Sequence, residues 1–178
     1  KIFYRFILVF MLFKTSNIMA NLIVANNSNY TNYLNALVPG DTLYLRQGVY
    51  DKNLKLNGLN GTPLEPIVII GEANKTIFIG QSCCNTVSIT KCSYLVIKNI
   101  QLDGQNLSID AVKAEGTTGN WAHHITIEYL NIINYGNSQQ NVGISTKCSA
   151  WNWLIRKNTI IGAGTGMYLG NSNGDAPF

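Results

Sequence analysis

Apolar and polar positions alternate over short runs of this chain, and the runs recur at a nearly fixed interval. Three of them, YLVIKNIQL, HITIEYLNI and NWLIRKNTI, start at positions 94, 124 and 152 and align without a gap. The alignment places Leu95, Ile125 and Trp153 in one column, with nearly equal steps between them. Alternation with a period of two is typical of β-strands, so the repeat consists of strands. Two further columns are Ile97, Ile127 and Ile155, and Leu102, Ile132 and Ile160.

The tetrapeptide TKCS marks the same repeat, because Cys92 and Cys148 are separated by twice that interval. Shorter apolar runs (TVSIT, DAVKA, VGIST and GMYLG) lie between the aligned ones, among clusters of Gly, Asn and Ser. A repeat of this length with several short strands and no helical pattern favours a parallel β-solenoid. An immunoglobulin-like sandwich also has short strands, but its hairpins would not keep columns at a fixed period. We therefore predict an all-β parallel β-helix with about 28–30 residues per turn.

The segment before the repeat predicts a cap and the first strands. Tyr30, Leu34 and Leu37 recur at helical spacing behind Ser28 as N-cap, and Pro39-Gly40 ends the pattern, so we expect a short capping helix. The runs DTLYLRQGVY, PIVIIG and TIFIG then predict further short strands.

The N-terminal segment, 1–20, differs from the rest of the chain. Lys1 and Arg5 precede an apolar run at positions 6–13, which is too short to span a bilayer and suits a signal-peptide core. We predict a signal peptide at 1–20 and a β-helix domain at 21–178 that continues in a longer protein. A buried N-terminal strand is the alternative. Export predicts a secreted, periplasmic or cell-surface location, with no stable membrane span after signal cleavage.

The register of the repeat also predicts side-chain contacts. Lys98, Glu128 and Arg156 fall in one outward column, where alternating signs avoid like charges on adjacent turns. Asn158 falls in an inward column that apolar residues fill on the earlier turns, and we expect its amide to bond the backbone of the corner.

The composition narrows the classes of partner. Charged residues make up 12% of the 178 residues, and the net charge of +4 is spread along the chain rather than clustered. Nucleic-acid-binding domains concentrate Lys and Arg on one face, so we expect no nucleic-acid partner.

Four cysteines raise the question of disulfides or a metal. If Cys92 and Cys148 share a column two turns apart, roughly 9–10 Å separates them, beyond the reach of about 7 Å for a disulfide. Buried free thiols are the favoured interpretation, with a bond from Cys92 to Cys83 or Cys84 as the alternative. No Cys-x-x-Cys spacing is present and the histidines are adjacent, so we expect no zinc site.

Histidine and tryptophan residues cluster before two of the repeats. Neighbours in a strand point to opposite faces, so we expect at most one of His123 and His124 to reach any one site. Trp121 and Trp151 precede strands, where exposed indoles suit stacking on sugar rings; stacking inside the solenoid is the alternative. Trp153 occupies an inward column and is predicted to belong to the core.

The segments ALVPGDTLYLRQGVY, NGTPLEPIVIIGE, TIFIG and YLVIKNIQLDG resemble the N-terminal part of secreted, right-handed parallel β-helix proteins of the pectin-lyase-like superfamily. They are most similar to the alginate lyase and chondroitinase B type of polysaccharide lyase. The resemblance implies a right-handed coil, a polysaccharide partner and calcium as a cofactor, and we expect a monomer. The catalytic segments of such families, RHG, WIDH and GHG, are absent.

Two functions follow from the resemblance. The first is elimination on a uronic-acid glycan, in which a base removes a proton next to a carboxylate and a cation stabilises the resulting charge. The second is a non-catalytic carbohydrate-binding or surface-adhesin β-helix. Candidate cations are Lys113, Lys147 and Arg156, and the acids that could hold calcium are Asp103, Asp110, Glu115 and Asp175.

Overall fold

A computed structural model describes residues 20–170. Asp175 and the predicted signal peptide, apart from Ala20, lie outside the described residues. No helix in the described range is long and apolar enough to cross a membrane. The elements are β1 (Leu22–Ala25), α1 (Thr31–Leu34), β2 (Thr42–Leu45), β3 (Gly48–Tyr50), β4 (Leu54–Asn57), β5 (Ile67–Ile70), β6 (Thr76–Ile79), β7 (Val87–Thr90), β8 (Cys92–Lys98), β9 (Gln101–Asp103), β10 (Val112–Ala114), β11 (Trp121–Glu128), β12 (Asn131–Tyr135), β13 (Val142–Thr146), β14 (Ser149–Trp151), β15 (Leu154–Arg156), β16 (Thr159–Ala163) and β17 (Thr165–Tyr168).

The strands form three parallel sheets, and each turn of the chain adds one level to every sheet. Sheet A contains β1, β2, β5, β8, β11, β14 and β15; sheet B contains β3, β6, β9, β12 and β16; sheet C contains β4, β7, β10, β13 and β17. We call the strands of one turn a rung, from rung 1 (β2, β3 and β4) to rung 5 (β14 to β17). The predicted all-β parallel solenoid is confirmed.

The predicted columns are confirmed by the strand register. Leu95 pairs with Ile125, and Trp153 lies one position before Leu154, which pairs with Thr126. Trp153 therefore continues the Leu95 column, and its side chain packs against the core. The other pairings are Ile97 with Ile127, Ile127 with Ile155, Leu102 with Ile132, and Ile132 with Ile160.

The inward columns form one continuous core between the three sheets. Ile69, Ile97 and Ile127 stack in one column with no exposed surface, and each such side chain contributes about 1.5–3 kcal/mol through burial. A polar contact crosses this core, where the hydroxyls of Tyr135 and Thr86 lie 2.7 Å apart. This bond joins sheet B to the start of a strand of sheet C.

Helix α1 and an aromatic group close the N-terminal end. Tyr30 packs edge-on against Tyr50 and Phe78, with ring centroids 5.2 and 5.6 Å away. The helix is shorter than expected, and its N-cap is Tyr30 rather than Ser28. The prediction for Ser28 was wrong because its hydroxyl bonds the side-chain oxygen of Asn26 at 2.7 Å, in the turn that precedes the helix.

The side-chain contacts predicted from register are present. Glu128 pairs with Lys98 and Arg156 on the adjacent rungs, at 3.9 and 2.7 Å. Glu128 is only 6% exposed, so this acid is buried between its cations. The Asn158 amide accepts from the backbone of Leu130 at 2.9 Å and donates to the carbonyl of Ile127 at 2.8 Å.

The cysteine predictions were right in part. Cys92 and Cys148 are free and buried, as predicted. They do not share a column, however, because Cys92 pairs with Ala122 and Ala122 with Ala150. The two TKCS copies thus lie at the same corner but out of register by two positions.

Cys83 and Cys84 are bonded to each other, which corrects the prediction of free thiols and of a bond to Cys92. They lie in a turn, where the backbone of Cys84 donates to the carbonyl of Gln81 at 3.2 Å. Outside a strand, adjacent side chains need not point to opposite sides, so neighbouring sulfurs can meet.

Candidate functional site

A bend in sheet A decides which side chains face solvent on rungs 3 to 5. Tyr94, His124 and Asn152 occupy one column at this bend, and their φ angles are 48, 53 and 56°. A left-handed residue interrupts strand alternation, so it and the residue before it both project outward. His and Asn tolerate this region better than most residue types, whereas Tyr rarely adopts it.

The bend brings five rings together, which we call the aromatic cluster: Tyr94, Trp121, His123, His124 and Trp151. The His123 ring lies between two indoles, 4.4 Å from Trp151 and 5.2 Å from Trp121, with interplanar angles of 22 and 24°. Tyr94 stacks on His124 at 4.4 Å. All five side chains are half-buried and keep part of their surface in solvent. Trp121, His123 and His124 lie in β11 on rung 4, whereas Trp151 lies on rung 5 and Tyr94 on rung 3.

A chain of hydrogen bonds sets the proton positions on the two histidines. The Asn152 amide nitrogen donates to Nε2 of His124 at 3.1 Å, which leaves the His124 proton on Nδ1. That Nδ1 donates to Nδ1 of His123 at 2.8 Å. The neutral His123 ring therefore carries its proton on Nε2.

Burial, followed by the proximity of His124, lowers the pKa of His123 below its ordinary value of 6.5. His123 is thus neutral at pH 7. The prediction that only one histidine reaches a given site was wrong, because the positive φ of His124 places both rings on the same side of the strand.

The predicted tryptophans take different positions. Trp121 and Trp151 lie in the aromatic cluster with their indoles half-buried. The indole nitrogen of Trp153 donates to the carbonyl of Ala122 at 3.1 Å, on the core side. The sequence alone could not place His123 between the two indoles, because that contact depends on the left-handed residue.

The three candidate cations do not converge. Arg156 lies on sheet A and pairs with Glu128, whereas Lys113 lies on sheet C and pairs with Asp110 at 3.1 Å. Lys147 follows sheet C, with its Nζ 4.2 Å from the centre of the Tyr168 ring.

The candidate acids are also engaged separately. Asp103 accepts from Asn134 at 3.0 Å, Asp110 from the backbone of Val142 at 2.9 Å, and Glu115 from Asn85 at 3.3 Å. Within residues 20–170, no group of three His, Cys, Asp or Glu residues could hold a metal ion. The described acids therefore do not fit the calcium that the resemblance implies.

Sheet C carries a second polar surface that the sequence did not reveal. Lys55, Ser88 and Lys113 form one outward column over rungs 1 to 3, and Ser145 continues it in rung 4 with no exposed surface. The steps between consecutive members are unequal, and too irregular for a fixed-period alignment to detect. The alternating signal in LKLN, TVSIT and DAVKA identifies the strands but not their register.

Solved structures of carbohydrate-active enzymes have the same fold. A point variant of the PL6-family alginate lyase AlyGC superposes with a TM-score of 0.62 at 16% identity, over 83% of this chain and 21% of that chain. An alginate lyase from Paenibacillus sp. strain FPU-7 gives 0.62 at 20% identity, over 77% and 43%. A GH136 lacto-N-biosidase from Eubacterium ramulus gives 0.53 at 18% identity, over 70% and 29%.

These similarities confirm the expected likeness to alginate lyases at the level of the fold. The chain spans less than half the length of each of these enzymes. No protein-family model matches the sequence, and no curated protein matches it significantly.

Proposed function

We propose that this segment binds a polysaccharide, with the aromatic cluster as its stacking surface. The observation that carries the proposal is the stack of Trp121 and His123 on rung 4 with Trp151 on rung 5. Adjacent rungs lie about 4.8 Å apart, so a glycan lying along the solenoid axis meets rings of rungs 3, 4 and 5 about once per sugar ring. Aromatic faces pack against the C–H faces of sugars, and the Nε2 proton of His123 can bond a sugar oxygen.

The fold supports a glycan as the ligand, since two of the similar structures are alginate lyases and one is a lacto-N-biosidase. A shared fold favours a shared class of ligand, but it does not assign a reaction to this chain. The aromatic cluster supplies the local reason for binding at this face.

Binding is better supported than bond cleavage for residues 20–170. Elimination requires a base and a charge-stabilising cation at the same sugar. Lys113 and Arg156 lie on different sheets, and each is paired with a buried acid. We therefore assign glycan recognition, and not catalysis, to this segment.

We also propose that the protein acts outside the cytosol as a monomer. The Cys83–Cys84 disulfide supports an oxidising location, because such bonds rarely persist in the cytosol. Immunodetection in culture medium and cell fractions tests the location, and light scattering tests the monomer.

Affinity electrophoresis in gels containing alginate, polygalacturonate, chondroitin sulfate or a neutral glucan tests the proposed binding. We expect retardation by at least one polymer, with alginate tested first. Trp121→Ser copies Ser149 of the next rung, and Trp151→Ser copies Ser93 two rungs earlier, so both preserve strand geometry. Each should weaken binding about fivefold through the loss of one stacked ring.

Tyr129→Asn is the matched control, because Tyr129 is an exposed aromatic residue outside the cluster and Asn99 occupies its column one rung earlier. Retardation that survives both tryptophan substitutions, or that is lost in Tyr129→Asn, would overturn the proposal. An absorbance assay for unsaturated sugar products on the same polymers tests the lyase alternative.

A further inference from the structure

A groove on sheet C runs beside the Cys83–Cys84 disulfide and shares no residue with the aromatic cluster. Its volume is about 370 Å³. Lys55 and Asn57 of rung 1 face it, and so do Ser88 and Thr90 of rung 2. Its remaining polar wall is Glu115, and its sulfur wall is Cys84.

The groove presents polar side chains that the chain itself does not use. Lys55 lies beside Ser88 in register, and Asn57 beside Thr90, so the four face one opening from two adjacent rungs. None of these four side chains has a hydrogen bond or ion pair within residues 20–170. They offer an ammonium, an amide and two hydroxyls, which together can donate to and accept from several ligand oxygens.

The charges in the groove are balanced. Lys55 contributes a positive charge and Glu115 a negative one, and the Glu115 carboxylate is held by the Asn85 amide at 3.3 Å. A carboxylate ligand would be attracted by Lys55 but repelled by Glu115, whereas a hydroxyl can donate to Glu115 and accept from Lys55. The chemistry therefore favours an uncharged ligand with several hydroxyls.

The disulfide completes the groove as an apolar wall. Cys84 is half-buried, and its sulfur has no proton to donate because it is bonded to Cys83. A polarisable sulfur surface packs against the C–H groups of a sugar as it does against other apolar groups. Polar side chains on one side and sulfur on the other match the hydroxyl-bearing edge and the C–H face of a pyranose ring.

We propose that this groove is a separate subsite for one uncharged pyranose residue, with Lys55, Asn57, Ser88 and Thr90 as hydrogen-bond partners and the Cys83–Cys84 disulfide as the apolar wall. The choice of a sugar as ligand rests on the proposed function, but the residues are different. Reduction of the disulfide frees two thiol side chains that are no longer held together, so binding here depends on the oxidised form.

Saturation-transfer NMR with methyl glycosides of glucose, mannose and galactose tests the subsite, with glucuronate as the charged comparison. We expect transfer to at least one neutral glycoside. Lys55→Ser, which copies Ser88 of the next rung, should weaken it about tenfold, as expected for one hydrogen bond to a charged group. Lys75→Ser, which removes an exposed lysine outside the groove, is the control.

Dithiothreitol tests the disulfide without a substitution. It transfers two electrons to the Cys83–Cys84 bond, giving two thiols and oxidised dithiothreitol, and Cys92 and Cys148 are already free. We expect glycoside binding to fall on reduction and to return on reoxidation, and Cys83→Ser/Cys84→Ser to behave like the reduced protein. Circular dichroism of each form checks that the fold is retained.

The outcomes separate this proposal from the proposed function. Polymer binding that depends on Trp121 and Trp151, with no glycoside signal, overturns the subsite and leaves the proposed function standing. A glycoside signal that requires Lys55 and the disulfide, with no polymer binding, supports the subsite and overturns the proposed function. Binding of glucuronate alone, or a signal unchanged in Lys55→Ser and after reduction, also overturns the subsite.

Discussion

His123 is the residue on which the aromatic cluster depends. Its ring contacts both indoles, and its Nδ1 accepts the proton of His124. Burial, and then the neighbouring His124, lower the pKa of His123 and so favour its neutral imidazole. His123 is therefore neutral at pH 7, and it can bond a sugar hydroxyl by hydrogen bonding rather than through charge.

The lowered pKa of His123 predicts a pH dependence of stability. Below the ordinary value of 6.5, the unfolded chain binds this proton more readily than the folded one, so stability is full above that pH and falls beneath it. His123→Ser should therefore show a smaller loss of unfolding free energy between about pH 7.5 and about pH 5.5. Urea titrations of both proteins measure this loss. An equal loss in the variant would contradict the assignment.

The cysteines predict a selective pattern of thiol reactivity. Burial is the main cause that raises the pKa of Cys148 to about 11, and it also raises the pKa of Cys92. Ellman's reagent should find no fast-reacting thiol in the native oxidised protein and two after mild reduction, since Cys83 is exposed and Cys84 half-buried. In urea without reductant, two thiols should react. A thiol that reacts fast in the native protein before reduction would contradict the disulfide or the burial of Cys92 and Cys148.

At the scale of the strand, the buried acid of the charge ladder links three rungs. Glu128 forms ion pairs with Lys98 and Arg156 and is 6% exposed. Glu128→Lys would place three cations in adjacent positions, one of them buried. We expect a loss of about 3 kcal/mol in unfolding free energy, near the lower end for a broken buried pair because the flanking cations reach water.

A reversed ladder is the control for this prediction. Lys98→Glu/Glu128→Lys/Arg156→Glu restores alternating signs at the same positions and should recover part of the stability. If urea unfolding shows no recovery, the loss comes from the shape of the site and not from its charges.

Strand columns were predictable from the sequence, whereas the bends between and within strands were not. Ile97, Ile127 and Ile155 aligned because inward positions must be apolar at every rung. The left-handed backbone at His124 could not be recognised from the sequence. The other residues of its column, Tyr94 and Asn152, have different side chains, so the column shows no common residue type. The candidate site depends on that bend, so only its tryptophans could be identified in advance.

At the scale of the whole molecule, the solenoid contacts are mainly between adjacent rungs. This arrangement also explains why the groove on sheet C was not predicted. The unequal steps from Lys55 to Ser88 and from Ser88 to Lys113 reflect loops of different length between rungs, which change the spacing without changing the register of the sheet. Loop length carries little constraint in a solenoid, so periodicity predicts the core better than the surface.

Nearest-neighbour stacking also predicts where a core substitution acts. Ile127 has no exposed surface and lies between Ile97 and Ile155, while Ile155 is half-buried in rung 5. Ile127→Ala should cost about 2–5 kcal/mol in unfolding free energy, and Ile155→Ala about half as much or less.

The positions of the tryptophans allow unfolding to be followed separately at one end of the solenoid. All three tryptophans of the chain, Trp121, Trp151 and Trp153, lie in rungs 4 and 5. Indole fluorescence therefore reports on these rungs, and far-ultraviolet circular dichroism on all of them. In Ile155→Ala, rung 5 loses contacts while rungs 1 to 3 keep theirs, so the fluorescence transition in urea should precede the dichroism transition. Coincident transitions with equal losses in both variants would show that the rungs unfold as one unit, against the nearest-neighbour picture.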